Sequence, residues 1–83
     1  MKYFVYILQS KKNNKFYIGF SDDIERRLSQ HNAGRNKSTK SGAPWELKYQ
    51  EELDDRKKAM NREREIKGKK SKKYIEWLIR SGY

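Results

Sequence analysis

The sequence predicts a single α/β (α+β) domain, a small three-stranded antiparallel or mixed sheet flanked by helices in the order ββαβαα. Three observations carry this expectation. Two β-rich apolar segments near the N-terminus are joined by a short polar turn. Two later segments place apolar residues at helical spacing behind a capping residue. The 83 residues leave room for one core only, so residues 1–83 are read as one domain.

Lys2 to Gln9 is apolar on both faces and rich in β-formers, which suits a central strand covered on both sides. Lys11-Lys12-Asn13-Asn14 is a polar turn, and asparagine tolerates positive φ there. Lys15 to Phe20 resumes the pattern, with Phe16, Ile18 and Phe20 on one face and Tyr17 and Gly19 on the other. Asp22, with Glu25 three residues on, reads as the capping box of a first helix that ends at Ala33-Gly34. A Gly/Ser/Lys loop from Arg35 to Ala43 closes at Pro44. A third strand follows over about residues 46–52, with Trp45, Leu47 and Tyr49 expected on one face. Asp54 or Asp55 caps a second helix running to about Lys67, with Gly68 as its C-terminal glycine. Ser71 opens a last helix carrying Tyr74, Ile75, Trp77 and Leu78.

Charge narrows the function. Lys and Arg total 21 against 11 acids, a formal net charge of +10 with pI near 9.9. That balance on so small a surface favours a polyanion, nucleic acid first, although ribosomal and membrane-surface proteins share it. A mean hydropathy of −1.30 raises disorder as an option. The clustered, periodic apolar residues argue against it. There is no cysteine, which excludes disulfides and thiolate metal sites and fits a reducing, cytoplasmic setting. The longest apolar run, Tyr3 to Leu8, is too short to span a bilayer. With one histidine, a zinc site is not expected either, and no glycine-rich loop points to a phosphate-bearing small-molecule cofactor.

One acid stands out. At about 100° per residue, Ala59, Met60 and Ile66 form the apolar stripe of the second helix, and Glu63 falls within roughly 20° of its centre. Glu65 points away. A carboxylate on an inward face is costly unless it is paired or holds a metal, so two readings stand side by side: a metal or catalytic group, or an ion pair with Lys67 at i, i+4. On the first helix Arg27 and His31 flank the buried stripe of Ile24 and Leu28, while Arg26 faces solvent. Arginine suits a phosphate through its permanent charge and two parallel donors. A lone histidine on such an edge is more often packed than catalytic. Across the hairpin, Tyr6 and Tyr17 are expected near one another, whereas Tyr3 is assigned to packing. Gly19 inside a strand suggests a bulge or a close approach by another backbone or a ligand. Lys37 and Lys40 on the loop, and Lys69, Lys70, Lys72 and Lys73 after the second helix, are candidate phosphate contacts or simply a solvated surface.

These residues together resemble the GIY-YIG family. Phe4-Val5-Tyr6 and Tyr17-Ile18-Gly19 are similar to the two halves of its signature, and Gly19 to Arg27 is similar to its strand-to-helix segment, ending on the functional arginine. Thr39-Lys40 and Pro44-Trp45 resemble the loop of small stand-alone members. Ala59 to Glu63 with Lys67 resembles their Ala-x-x-x-Glu-x-x-x-Lys helix. Two positions depart: Phe4 replaces the first signature glycine, and Ala43 stands where an arginine often precedes Pro-Trp.

The resemblance implies an endonuclease that hydrolyses one strand with a single divalent metal, Mg²⁺ or Mn²⁺. Glu63 would bind the metal and Arg27 stabilise the phosphate. Tyr6 would activate water and Tyr17 position it, with Gly19, His31 and Lys67 as accessories. Tyr6 would then need a pKa pushed well below about 10 by Arg27 and the metal. DNA ranks ahead of RNA as substrate. A non-catalytic basic module that keeps the fold and only binds nucleic acid is the competing reading, and a ribosome-bound basic protein is a third.

Overall fold

A computed structural model describes residues 2–82. Strands β1 (Tyr3–Ser10), β2 (Phe16–Ser21) and β3 (Trp45–Leu53) form one sheet in the order β2-β1-β3, and both pairings are antiparallel. Helix α1 (Ile24–Asn32) links β2 to β3 through a loop with one short helical turn at Lys40–Gly42. Helices α2 (Arg56–Lys69) and α3 (Lys72–Ser81) follow β3.

The hairpin turn is built by side chains as expected of Ser and Asn. Ser10 Oγ accepts from the backbone N–H groups of Lys12 and Asn13, Asn13 Oδ1 accepts from Lys15 N, and Asn14 takes φ 64°. β1 is central, and Val5, Tyr6, Ile7 and Leu8 are all buried. Odd-numbered residues of β1 point to one side. There Val5, Ile7 and Ile18 pack on Ala59, Ile66 and Leu78 of α2 and α3. Tyr6, Leu8 and Trp45 point to the other side, beneath Ile24 and Leu28 of α1.

Three local expectations change and one is settled. The alternation in β3 breaks between Ile7 and Leu8 of β1, which pair with Tyr49 and Leu47; Lys48 is the extra residue of a bulge. Trp45 and Leu47 therefore face α1, whereas Tyr49 joins the α2–α3 side. The cap of α1 is Asp23, not Asp22, and it accepts from Arg26 N at 3.0 Å. Asp22 instead pairs with the Arg26 side chain at 3.1 Å. Of the two candidate caps of α2, Asp55 holds Lys58 N at 2.8 Å. Gly68 does not end that helix. The left-handed residue is Lys70, φ 48°, just before the Ser71 cap of α3, because the reversal must fall between buried Ile66 and the next capping side chain.

Candidate active site

Tyr6 is placed by the pairing of β1 with β2. Its direct partner is Gly19, while Tyr17 sits opposite Leu8. The close approach expected at Gly19 is made by a side chain: a Cβ there would stand 2.6 Å from Tyr6 Oη and 2.8 Å from Cζ. Only glycine lets the phenol lie across the neighbouring strand. Tyr17 is a diagonal neighbour, its ring centroid 6.5 Å from that of Tyr6 and 4.8 Å from that of His31.

The Tyr6 hydroxyl meets His31 Nε2 at 3.3 Å, and the other ring nitrogen lies 2.7 Å from Thr39 Oγ1. Thr39 is in turn fixed at both ends. Its hydroxyl is 3.3 Å from the Asn36 carbonyl, and its own carbonyl accepts the Trp45 indole N–H at 2.7 Å. With the threonine proton on Asn36, His31 donates from Nδ1 and offers its Nε2 lone pair to the Tyr6 phenol. His31 and Thr39 are buried, and burial lowers the His31 pKa, with Arg27 adding to the effect. The imidazole is therefore neutral at pH 7. The sequence marks Thr39 only through the loop resemblance of Thr39-Lys40 and assigns its hydroxyl no role.

Arg27 sits one helical turn before His31, as their i, i+4 spacing requires. Its Nη1 donates to the neutral Gln30 amide at 2.8 Å, a contact that leaves the charge free to act elsewhere. It does act on Tyr6. Burial raises the Tyr6 pKa, the hydrogen bond and charge of Arg27 lower it, and Tyr17 and Glu63 raise it. Burial wins, so the phenol is held above its ordinary value. The expected downward push from Arg27 is present but is the weaker influence.

Glu63 reaches this group from α2. Its side chain is 19% exposed, against 56% for Glu65, which is bound by Arg62 at 3.0 Å. Lys67 Nζ lies 3.6 Å from Glu63, so the ion pair weighed from the sequence is formed. The pair is compatible with an inward acid, because Lys67 is half exposed and free to swing away. Among the described residues no cluster of three His, Asp or Glu side chains is placed to hold a metal. A single hard carboxylate suits an ion such as Mg²⁺, which keeps most of its water and shares oxygens with a phosphate.

Tyr6, Tyr17 and His31 are thus neighbours, Gly19 lies beneath the Tyr6 ring, Arg27 and Glu63 act on the Tyr6 hydroxyl, and Lys67 pairs with Glu63. The basic residues scatter more widely. Lys37 and Lys40 lie on the loop after α1, where the Lys40 stem runs beside Gly34. Lys69 places its ammonium 5.5 Å from the Tyr74 ring centroid, Lys70 and Lys72 border a cavity, and Lys73 is exposed on α3. No helix among the described residues is long and apolar enough to cross a membrane.

Comparison with known proteins agrees with this fold. A UPF0213 protein of Staphylococcus haemolyticus is 43% identical over 67 residues, covering 80% of each chain. One from the archaeon Natronomonas pharaonis is 39% identical over 66 residues, 78% of this chain and 76% of that one. The solution NMR structure of a UPF0213 protein from Bacillus halodurans superimposes with a TM-score of 0.61 at 31% identity, covering 99% of this chain and 87% of that one. Residues 2–75 match the GIY-YIG catalytic domain, and the chain belongs to that family.

Proposed function

We propose that this protein is a nucleic-acid endonuclease that hydrolyses one phosphodiester bond at a time, with Tyr6, Tyr17, Arg27 and Glu63 as its working residues. The observation that carries the reading is the Tyr6 hydroxyl, in contact with a neutral histidine and within electrostatic reach of Arg27 and of the inward carboxylate Glu63. A structural core has no use for that combination.

The chemistry follows from the geometry. A divalent ion held by Glu63 would supply positive charge to the phosphate and its attacking water. Arg27 donates to a non-bridging oxygen as negative charge builds there. Because its pKa is raised, Tyr6 is a phenol at rest and not a waiting phenolate. It therefore passes a proton along: the attacking water gives its proton to Tyr6 Oη while Tyr6 gives its own to His31 Nε2. Water oxygen bonds to phosphorus, the bond to the leaving sugar oxygen breaks, and solvent protonates that oxygen. Tyr17, packed on His31, lines the approach of the water.

The ion pair between Glu63 and Lys67 favours a second reading, a basic module that binds nucleic acid without cutting it. One experiment separates the two. Purified protein is incubated with branched and single-stranded DNA and RNA in Mg²⁺ or Mn²⁺, beside Glu63→Gln. Cleavage by the wild type, lost in Glu63→Gln with binding and folding retained, is the expected outcome. Loss of such a group costs several kcal/mol of barrier, about a thousandfold or more in rate. Binding without cleavage by the wild type supports the second reading. Equal cleavage by both proteins makes Glu63 structural.

A further inference from the structure

Beyond the tyrosine site, the β2 side of the molecule carries a cavity of ≈ 460 Å³ that the chemistry above leaves unused. Its floor is apolar: Phe16 and Ile18 from β2, Ile66 from α2 and Ile75 from α3. Its rim is cationic, with Lys67, Lys70 and Lys72 spaced around the reversal between α2 and α3. The unusual left-handed backbone at Lys70 is what brings the end of α2 and the start of α3 to the same rim. No acidic residue lines the cavity.

An apolar floor under a lysine rim selects a ligand with a flat, weakly hydrated body and an anionic edge. A nucleobase on its sugar-phosphate is such a ligand. The cavity is also joined to the candidate site. Lys67 lines it and pairs with Glu63 at 3.6 Å, one helical turn or ~6 Å back along α2. A phosphate held beside Glu63 would compete for Lys67, which lines the cavity as well and would then hold the next phosphate along the strand.

We propose that this cavity receives the base of an unpaired nucleotide beside the phosphate at Glu63, with Lys67, Lys70 and Lys72 holding the flanking backbone. The inference rests on the nuclease reading and sharpens it. In a continuous duplex the base stays stacked and paired, so the cavity favours strands with a free end, a flap or a gap. The lysines make the contact insensitive to sequence, since they read phosphate and not base edges.

The test is fluorescence anisotropy in Ca²⁺, a larger ion that takes carboxylate and phosphate oxygens without the octahedral geometry of Mg²⁺, so that binding is read with an ion in place and without Mg²⁺-dependent cleavage. The probes are a short oligodeoxythymidylate and the same strand with abasic residues through its middle. Wild type should bind the abasic strand about tenfold more weakly, the scale of one buried base. Ile75→Trp, which fills the cavity, should weaken binding of the complete strand to that level and leave the abasic strand unchanged. If Ile75→Trp loses its helical circular dichroism, Phe16→Ala at the cavity's other wall takes its place, and the same loss of the ratio is expected. Equal binding of the two strands by wild type overturns the proposal. So does a base-dependent ratio that survives both variants and collapses in Trp77→Ala, because Trp77 is the exposed aromatic of α3, 51% accessible and outside the cavity. The nuclease reading fails separately: a strand bound with the expected ratio but never cut in Mg²⁺ or Mn²⁺ leaves the cavity standing and removes the catalysis.

Discussion

On one side of the sheet Val5, Ile7 and Ile18 meet Ala59, Ile66 and Leu78, side chains that carry no hydrogen-bonding group at all. On the other, Tyr6, Leu8 and Trp45 lie beside His31 and Thr39, and the polar atoms of these residues are joined end to end. No buried side-chain nitrogen or oxygen among the described residues is left without a partner. The two sides are stabilised differently. The aliphatic side gains by area, roughly 1.5–3 kcal/mol for each large side chain buried. The polar side gains little per hydrogen bond, but each unpaired group would cost about 1–3 kcal/mol, so its geometry is over-determined. One side holds the domain together and the other holds a hydroxyl in one place.

If that division is right, substitutions on the two sides should separate rate from stability. Tyr6→Phe is the largest expected effect. It keeps the ring and its packing but removes the proton that would pass to His31, so single-turnover cleavage should fall about 10²- to 10⁴-fold. Stability to urea should drop by about 1–3 kcal/mol, from the His31 lone pair left buried without a partner. An unchanged rate would reduce Tyr6 to a packing residue.

Gly19→Ala should act on both quantities. The new methyl meets a Tyr6 ring that is itself 1% exposed and has no room to retreat. Overpacking of this kind costs about 1–3 kcal/mol of stability, and the displaced hydroxyl should slow cleavage as well. Ile7→Val, on the aliphatic side of the same strand, should cost about 0.5–1.5 kcal/mol and leave the rate alone. A slower rate in Ile7→Val, once corrected for the folded fraction, would mean that the two sides are coupled through β1.

The elements of this fold were readable from local pattern because each depends on neighbours in sequence. Glu63 was found the same way, by its phase on a helix. Misreadings arose where a distant partner decides. The Lys48 bulge, which turns Tyr49 to the other side, exists only because β3 pairs with β1. Gly19 in a strand signals a close approach, but that Tyr6 makes it depends on the hairpin register, which sets Tyr6 two pairs away from Tyr17. The Thr39 bond to His31 closes a loop that carries no periodic signal. The Tyr6 pKa divides in the same way: the lowering influence of Arg27 is readable from the sequence, but the depth of burial that outweighs it is not.

The smallest expected effect tests the histidine at the centre of the polar side. His31 is the only histidine in the chain, so no second imidazole confuses its titration. Burial, then Arg27, lowers its pKa in the folded state below the ordinary 6.5 that it recovers on unfolding. The sign follows. Above about pH 6.5 the ring is neutral in both states, and it contributes no pH dependence. Below that, the unfolded chain takes up a proton that the folded one resists, so stability is lost as pH falls. The slope cannot exceed about 1.4 kcal/mol per pH unit, and the loss is read between pH 7 and 5.5. Carboxylates with ordinary values near 4 stay ionised over most of this window. Urea unfolding at the two pH values should show the loss in the wild type, and His31→Asn should flatten it. A wild type equally stable at both values would mean that His31 protonates as readily folded as unfolded. It would then not be the neutral acceptor that Tyr6 requires.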